Sequence, residues 1–102
     1  MPRPKSRLTG KLAVVAAMLV LSACAGPPVQ EMSDARQAIQ AAEAAGAQKW
    51  APVPLSQARD FLDSAEKKLE KRAYNGARND ARQARQKASH ARTIAETIGS
   101  DR

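Results

Sequence analysis

The last third of the chain carries an apolar seam made almost wholly of alanine. Tyr74, Ala77, Ala81, Ala84, Ala88, Ala91, Ala95 and Ile98 recur at alternating intervals of three and four residues. That spacing places them on one stripe of an α-helix, and the stripe persists for more than three heptads. Alanine also has the highest intrinsic helix propensity. A methyl-sized knob lets backbones approach closely. The seam therefore predicts a helix over 74–98, packed tightly and antiparallel against a helix with larger side chains.

A suitable neighbour precedes it. Leu55, Ala58, Leu62, Ala65 and Leu69 keep the same three-four alternation, with Phe61 beside them. They predict a helix over about 55–72, with Pro54 suited to its first turn. Asn75-Gly76 is a turn-like pair near the join. A hairpin is preferred there to a single rod from Leu55 to Ile98. Further upstream, Met32, Ala35, Ile39 and Ala42 form a third stripe, widened by Ala38 and Ala45. That helix is expected over 33–45, with Ser33 or Asp34 capping its start and Gly46 stopping it. Residues 47–54 read as a linker, because Pro52 and Pro54 cannot sit inside a helix. Trp50 lies in that linker, where it either folds back over the thin core or stands exposed as an anchor. The fold class is all-α: a short antiparallel helical bundle of about three helices. The helical domain spans 31–99, and 100–102 form a frayed tail.

The front of the chain obeys different rules. Arg3, Lys5, Arg7 and Lys11 precede ten consecutive apolar residues, Leu12 to Leu21, and no acid occurs among them. A basic segment followed by a short apolar one is the secretory pattern. Ten helical residues reach about 15 Å, half of a hydrocarbon core, so a permanent membrane span is disfavoured. Leu21, Ser22, Ala23 and Cys24 resemble the lipobox of a bacterial lipoprotein. The resemblance implies removal of 1–23 and attachment of a diacylglycerol to the Cys24 thiol, with a further acyl group on its amine. No other cofactor is expected. One acyl chain holds a protein only marginally, whereas two or three anchor it stably. Cys24 is the only cysteine, so no intrachain disulfide can form. Residues 24–30 read as the lipidated cysteine and a tether containing Pro27 and Pro28. Ala25 is not acidic. In enteric-type sorting that favours the outer membrane, with the domain facing the periplasm.

Charge bounds the partners. The full chain carries +7, but the 79 residues after Ala23 carry only +3. That balance, together with export, argues against nucleic acid. The bases are clustered. Nine lie between Lys67 and Arg92, opposed only by Glu70 and Asp80. Arg78, Arg85 and Arg92 each follow a seam alanine, and Arg82 lies among them. These four either pair with acids of a neighbouring helix, such as Glu66 or Glu43, or present a surface to an anionic ligand. Arginine suits phosphate and carboxylate through its bidentate fork.

Catalytic signals are lacking. His90 is the only histidine and lies off the seam, so no metal site is expected. Asp60, Asp63 and Glu66 sit a turn apart near a helix start, where they complement the dipole. Ser56, Ser64 and Ser89 belong to no nucleophile motif. The chain is read as a non-enzyme.

Two resemblances follow. Met32-Ser33-Asp34-Ala35-Arg36-Gln37-Ala38-Ile39, then Ala41 to Ala47, Ala51-Pro52 to Leu55, Ala58-Arg59 and Ala65-Glu66, resemble a family of small bacterial lipoproteins. Its shared domain is known only as a domain of unknown function. The resemblance implies an envelope location and a helical domain, not an activity. Ala58, Leu62, Ala65-Glu66, Leu69, Tyr74, Ala77, Ala81 and Ala84 also look like a tetratricopeptide-type hairpin. In those repeats Gly-Asp or Gly-Asn precedes the tyrosine. Here Arg72-Ala73 stands in that place, and the inter-helix cap is expected to be missing. The resulting expectation is a membrane-anchored structural or adaptor lipoprotein that engages an envelope protein or a second copy of itself. The alternative is binding of a lipid headgroup or lipopolysaccharide phosphate through the Lys67–Arg92 surface.

Overall fold

The computed structural model describes residues 26–101. Four helices follow in order: α1 (Val29–Ala44), the single-turn α2 (Ala47–Trp50), α3 (Pro52–Glu70) and α4 (Tyr74–Ser100). The expected all-α bundle is what forms. Leu21, Ser22, Ala23 and Cys24 lie outside the described residues.

The α4 seam is the spine of the domain. Ala77, Ala81, Ala84, Ala88, Ala91 and Ala95 are completely buried, while Tyr74 and Ile98 close the stripe half-buried. Both α1 and α3 pack on it. Met32 and Ala35 join Ala65, Ala81 and Ala84 in one cluster. Ile39 and Ala42 join Leu55, Ala58, Ala88, Ala91 and Ala95 in the other. This order makes α1 parallel to α4 and α3 antiparallel to both. Leu62 is half-buried and touches both clusters, so it bridges the two halves of the core. Large buried side chains are few. Leu55 is the principal one, worth about 1.5–3 kcal/mol on burial. Stability therefore depends on close backbone approach and on alanine's helix propensity.

Helix starts differ from expectation. α1 begins at Val29, not near Ser33, with Pro28 at its N-cap. The Pro28 ring is fully buried, and its carbonyl accepts the Met32 N–H at 3.0 Å. Proline loses nothing at a helix start, since the first N–H groups have no intrahelical acceptor. Packing of the ring draws the helix forward into the expected tether. Ser33 and Asp34 consequently lie within the helix. They accept bonds from Gln37 and Gln30 and cap nothing. The same logic admits both Pro52 and Pro54 into the first turn of α3, so the expected 47–54 linker is mostly helical.

Between α1 and α2, Gly46 takes φ +89° and ends α1 as expected. Its N–H donates to the Glu43 carbonyl at 3.0 Å. The Trp50 indole folds back over Gly46 and packs on the Leu55 cluster, which is the capping role. Lys49 Nζ lies 4.6 Å from its ring centroid.

The α3–α4 hairpin closes at Lys71-Arg72-Ala73, not at Asn75-Gly76. The Ala73 N–H donates to the Lys68 carbonyl at 2.8 Å and the Arg72 N–H to the Leu69 carbonyl at 3.0 Å. This is a Schellman closure, and Arg72 occupies its left-handed position at φ +60°. The expectation of a missing cap is thus corrected: the turn forms with arginine where glycine is usual. Gly76 serves another purpose. A Cβ there would lie 3.1 Å from Lys68 Cδ, so glycine lets the Lys68 stem cross α4. Among the described residues no helix is long and apolar enough to cross a membrane.

Candidate functional site

The α4 arginines share one flank of the seam, each directly after a seam alanine, but meet different fates because they stand at different heights along the helix. Arg78 follows Ala77 and faces the start of α1. Its Nε donates to Glu31 Oε1 at 3.3 Å, and its Nη2 donates to the Gly26 carbonyl at 2.9 Å. Its Nη1 also donates to Asn75 Oδ1 at 3.3 Å. Only 14% of its side chain is exposed. Arg78 therefore clasps Gly26, just ahead of α1, onto the bundle. Arg82 lies one turn on, 3.9 Å from the same Glu31 oxygen. Arg92 pairs with Glu96 of its own helix at 2.6 Å. Arg85 is exposed and has no ion-pair partner among the described residues.

The acids named as possible partners are used elsewhere. Glu66 pairs with Arg36 and Glu43 with Arg59, both across the α1–α3 interface. Glu31 and Gln30 were not singled out from sequence, and Asp34 was read only as a helix cap. Glu31 immediately precedes a buried residue, Met32, whereas Arg78 and Arg82 immediately follow buried ones. In a parallel helix pair such flanking positions meet, and that parallel placement of α1 was not anticipated.

α1 and α4 leave a groove of about 280 Å³ between them. Gln30, Glu31 and Asp34 form one wall, and Arg82, Arg85 and Gln86 form the other, with Ala81 between. Two carboxylates thus face two guanidiniums. The basic surface expected from sequence is a mixed-charge groove at this point.

A second polar cluster ties α3 to α4. Asp80 Oδ2 accepts from Ser64 Oγ at 2.6 Å and lies 2.7 Å from Lys68 Nζ. Burial pushes the Asp80 carboxyl up, but the hydrogen bonds from Lys68 and Ser64, with the Lys68 charge, outweigh it and hold the group below the usual carboxylate range. Ser64 on α3 donates to Asp80 on α4 and Lys68 pairs with the same carboxylate, so the cluster fastens the two helices together. On the exposed face of α3, hydrogen bonding and charge from Asp63 raise the Lys67 ammonium pKa. His90 is exposed. Among the described residues no group of His, Cys, Asp or Glu is arranged to hold a metal ion.

These features define a helical domain, alanine-packed and laced by interhelical ion pairs. Residues 30–101 match the family described as a domain of unknown function (DUF4398), and the chain belongs to that family. Comparison with curated proteins and with solved structures finds no significant match.

Proposed function

We propose that this chain is a lipid-anchored structural or adaptor module of a bacterial envelope, non-catalytic, whose helical surface engages another envelope protein or a second copy. The observation that carries the reading is the lipobox-like Leu21-Ser22-Ala23-Cys24, standing only four residues before α1. Arg78 pins Gly26, two residues after that cysteine. A lipid on Cys24 would hold the bundle close against its membrane, with little free tether. Ala25 in the position after the cysteine supports an outer-membrane destination.

The anchor is tested by Cys24→Ser. Metabolic labelling with an alkyne fatty acid should mark the wild type and not the variant. The variant should accumulate as precursor or leave the membrane fraction. Equal retention and unchanged mass would overturn the reading.

Direct binding of an anionic envelope ligand is a second reading, and Arg85 is its specific support, since it forms no ion pair with an acid of the described residues. Such binding should weaken steeply between low and physiological salt, where screening shortens to about 8 Å. A helix–helix interface with a protein partner should be far less sensitive.

A further inference from the structure

The α1–α4 groove carries two charges of each sign. Its Glu31 wall is tied by Arg78 to the Gly26 carbonyl. Gly26 follows Cys24 by two residues in the sequence, and two fully extended residues span at most about 7 Å. Within the groove, Arg85 has no ion-pair partner among the described residues, and Arg82 holds Glu31 only at 3.9 Å. Asp34 receives one bond, from Gln30 Nε2 to Oδ1 at 2.9 Å, and its Oδ2 accepts none among the described residues. A simple anion seated on the arginines would face Asp34 and Glu31. A simple cation seated on the acids would face Arg82 and Arg85. A group bearing both charges complements both walls.

We infer that this groove binds the phosphoethanolamine headgroup of a membrane phospholipid, its phosphate on Arg85 and Arg82 and its ammonium on Asp34 and Glu31. The inference rests on the lipid-anchored reading, which puts the groove at headgroup height. Arginine forks match phosphate oxygens. A primary ammonium has three N–H donors for the carboxylates, whereas choline has none. The groove volume is at the small end for ligand sites, which suits a headgroup and excludes a bulky saccharide. The bundle would then be oriented on its membrane by a second contact beside the anchor.

The test uses the processed chain, purified from membranes in a non-ionic detergent and followed by amide NMR. Titration with glycerophosphoethanolamine should shift Gln30, Asp34, Arg82 and Arg85 saturably. Glycerophosphocholine, glycerophosphoglycerol and inorganic phosphate should bind at least tenfold more weakly. Asp34→Asn and Arg85→Gln should each lose at least tenfold in glycerophosphoethanolamine affinity while keeping the wild-type circular dichroism. In nanodiscs, phosphatidylethanolamine should shift the same amides and phosphatidylcholine should not. Equal binding of phosphate and glycerophosphoethanolamine would overturn the proposal, as would no shift at these residues. Shifts with the soluble compound but none in phosphatidylethanolamine nanodiscs would overturn the lipid assignment in favour of a free amino-phosphate. Intact mass of the same sample reports Cys24 acylation separately, so failure of the anchor and failure of the groove are distinguishable.

Discussion

Arg36 Nη2 and Glu66 Oε1 lie 3.3 Å apart, and each side chain stands one residue after a buried alanine, Ala35 and Ala65. Arg59 and Glu43 repeat the relationship at 2.7 Å, following Ala58 and Ala42. The charges are transposed between the two pairs: α1 supplies the base in one and the acid in the other. The sum of residue numbers is the same for both, as antiparallel register requires. Sliding α1 along α3 by one turn would break both pairs at once.

The pairs therefore set register more than stability. Arg36 and Glu66 are about half exposed, at 50% and 45%, where a pair contributes about 0.2–1 kcal/mol. Arg36→Glu should destabilise slightly, and Arg36→Glu with Glu66→Arg should recover most of the loss. A double-mutant cycle by urea denaturation measures the coupling. Zero coupling would show that the pair does not select the register.

The alanine seam should resist enlargement. Ala84 and Ala88 are fully buried between helices, so Ala84→Leu or Ala88→Leu overpacks the contact at about 1–3 kcal/mol. Gln83→Leu and Gln86→Leu change exposed positions and should leave thermal stability nearly unaltered. Equal effects at all four positions would contradict the packing.

Acid should loosen the α3–α4 hairpin through Asp80. Its folded pKa lies below the ordinary value of 3.8 because of Lys68 and Ser64, against the opposing push of burial. A depressed folded pKa contributes stability that is present above the unfolded value and lost as pH falls from there through the folded value. Urea melts from about pH 5 down to pH 2 should show a declining limb below about pH 4. Asp80→Asn should flatten that limb. A limb unchanged in the variant would assign the acid sensitivity elsewhere.

Arg72 holds a left-handed conformation at φ +60°, which costs a residue with a Cβ about 1–2 kcal/mol. Glycine avoids that cost but loses about 0.5–1 kcal/mol in chain entropy. Arg72→Gly should therefore raise the melting temperature modestly, and thermal circular dichroism reads it. Gly46→Ala should do the opposite, since Gly46 is left-handed at φ +89° and a Cβ would lie 3.3 Å from Trp50 Cδ1.

The buried stripes were legible in sequence because helical periodicity is local. Met32, Ala35, Ile39 and Ala42, like the alanines of α4, follow from spacing alone, and every one of them is buried. Gly46 was legible for the same reason: a left-handed stop is a property of one residue. The lipobox-like residues occupy four adjacent positions, so the proposed lipid anchor rests on sequence alone and not on the fold. Tertiary structure decided the rest. Asn75-Gly76 has turn chemistry, yet the chain turns earlier, because Schellman closure at Arg72 lets Gly76 admit the Lys68 stem toward Asp80. Pro28 looked like tether until the buried ring showed its place in the bundle. The mixed-charge groove was least legible of all. Glu31 and Arg78 are 47 residues apart in the chain, and only the parallel packing of α1 on α4 brings acids to a face that sequence counts as basic.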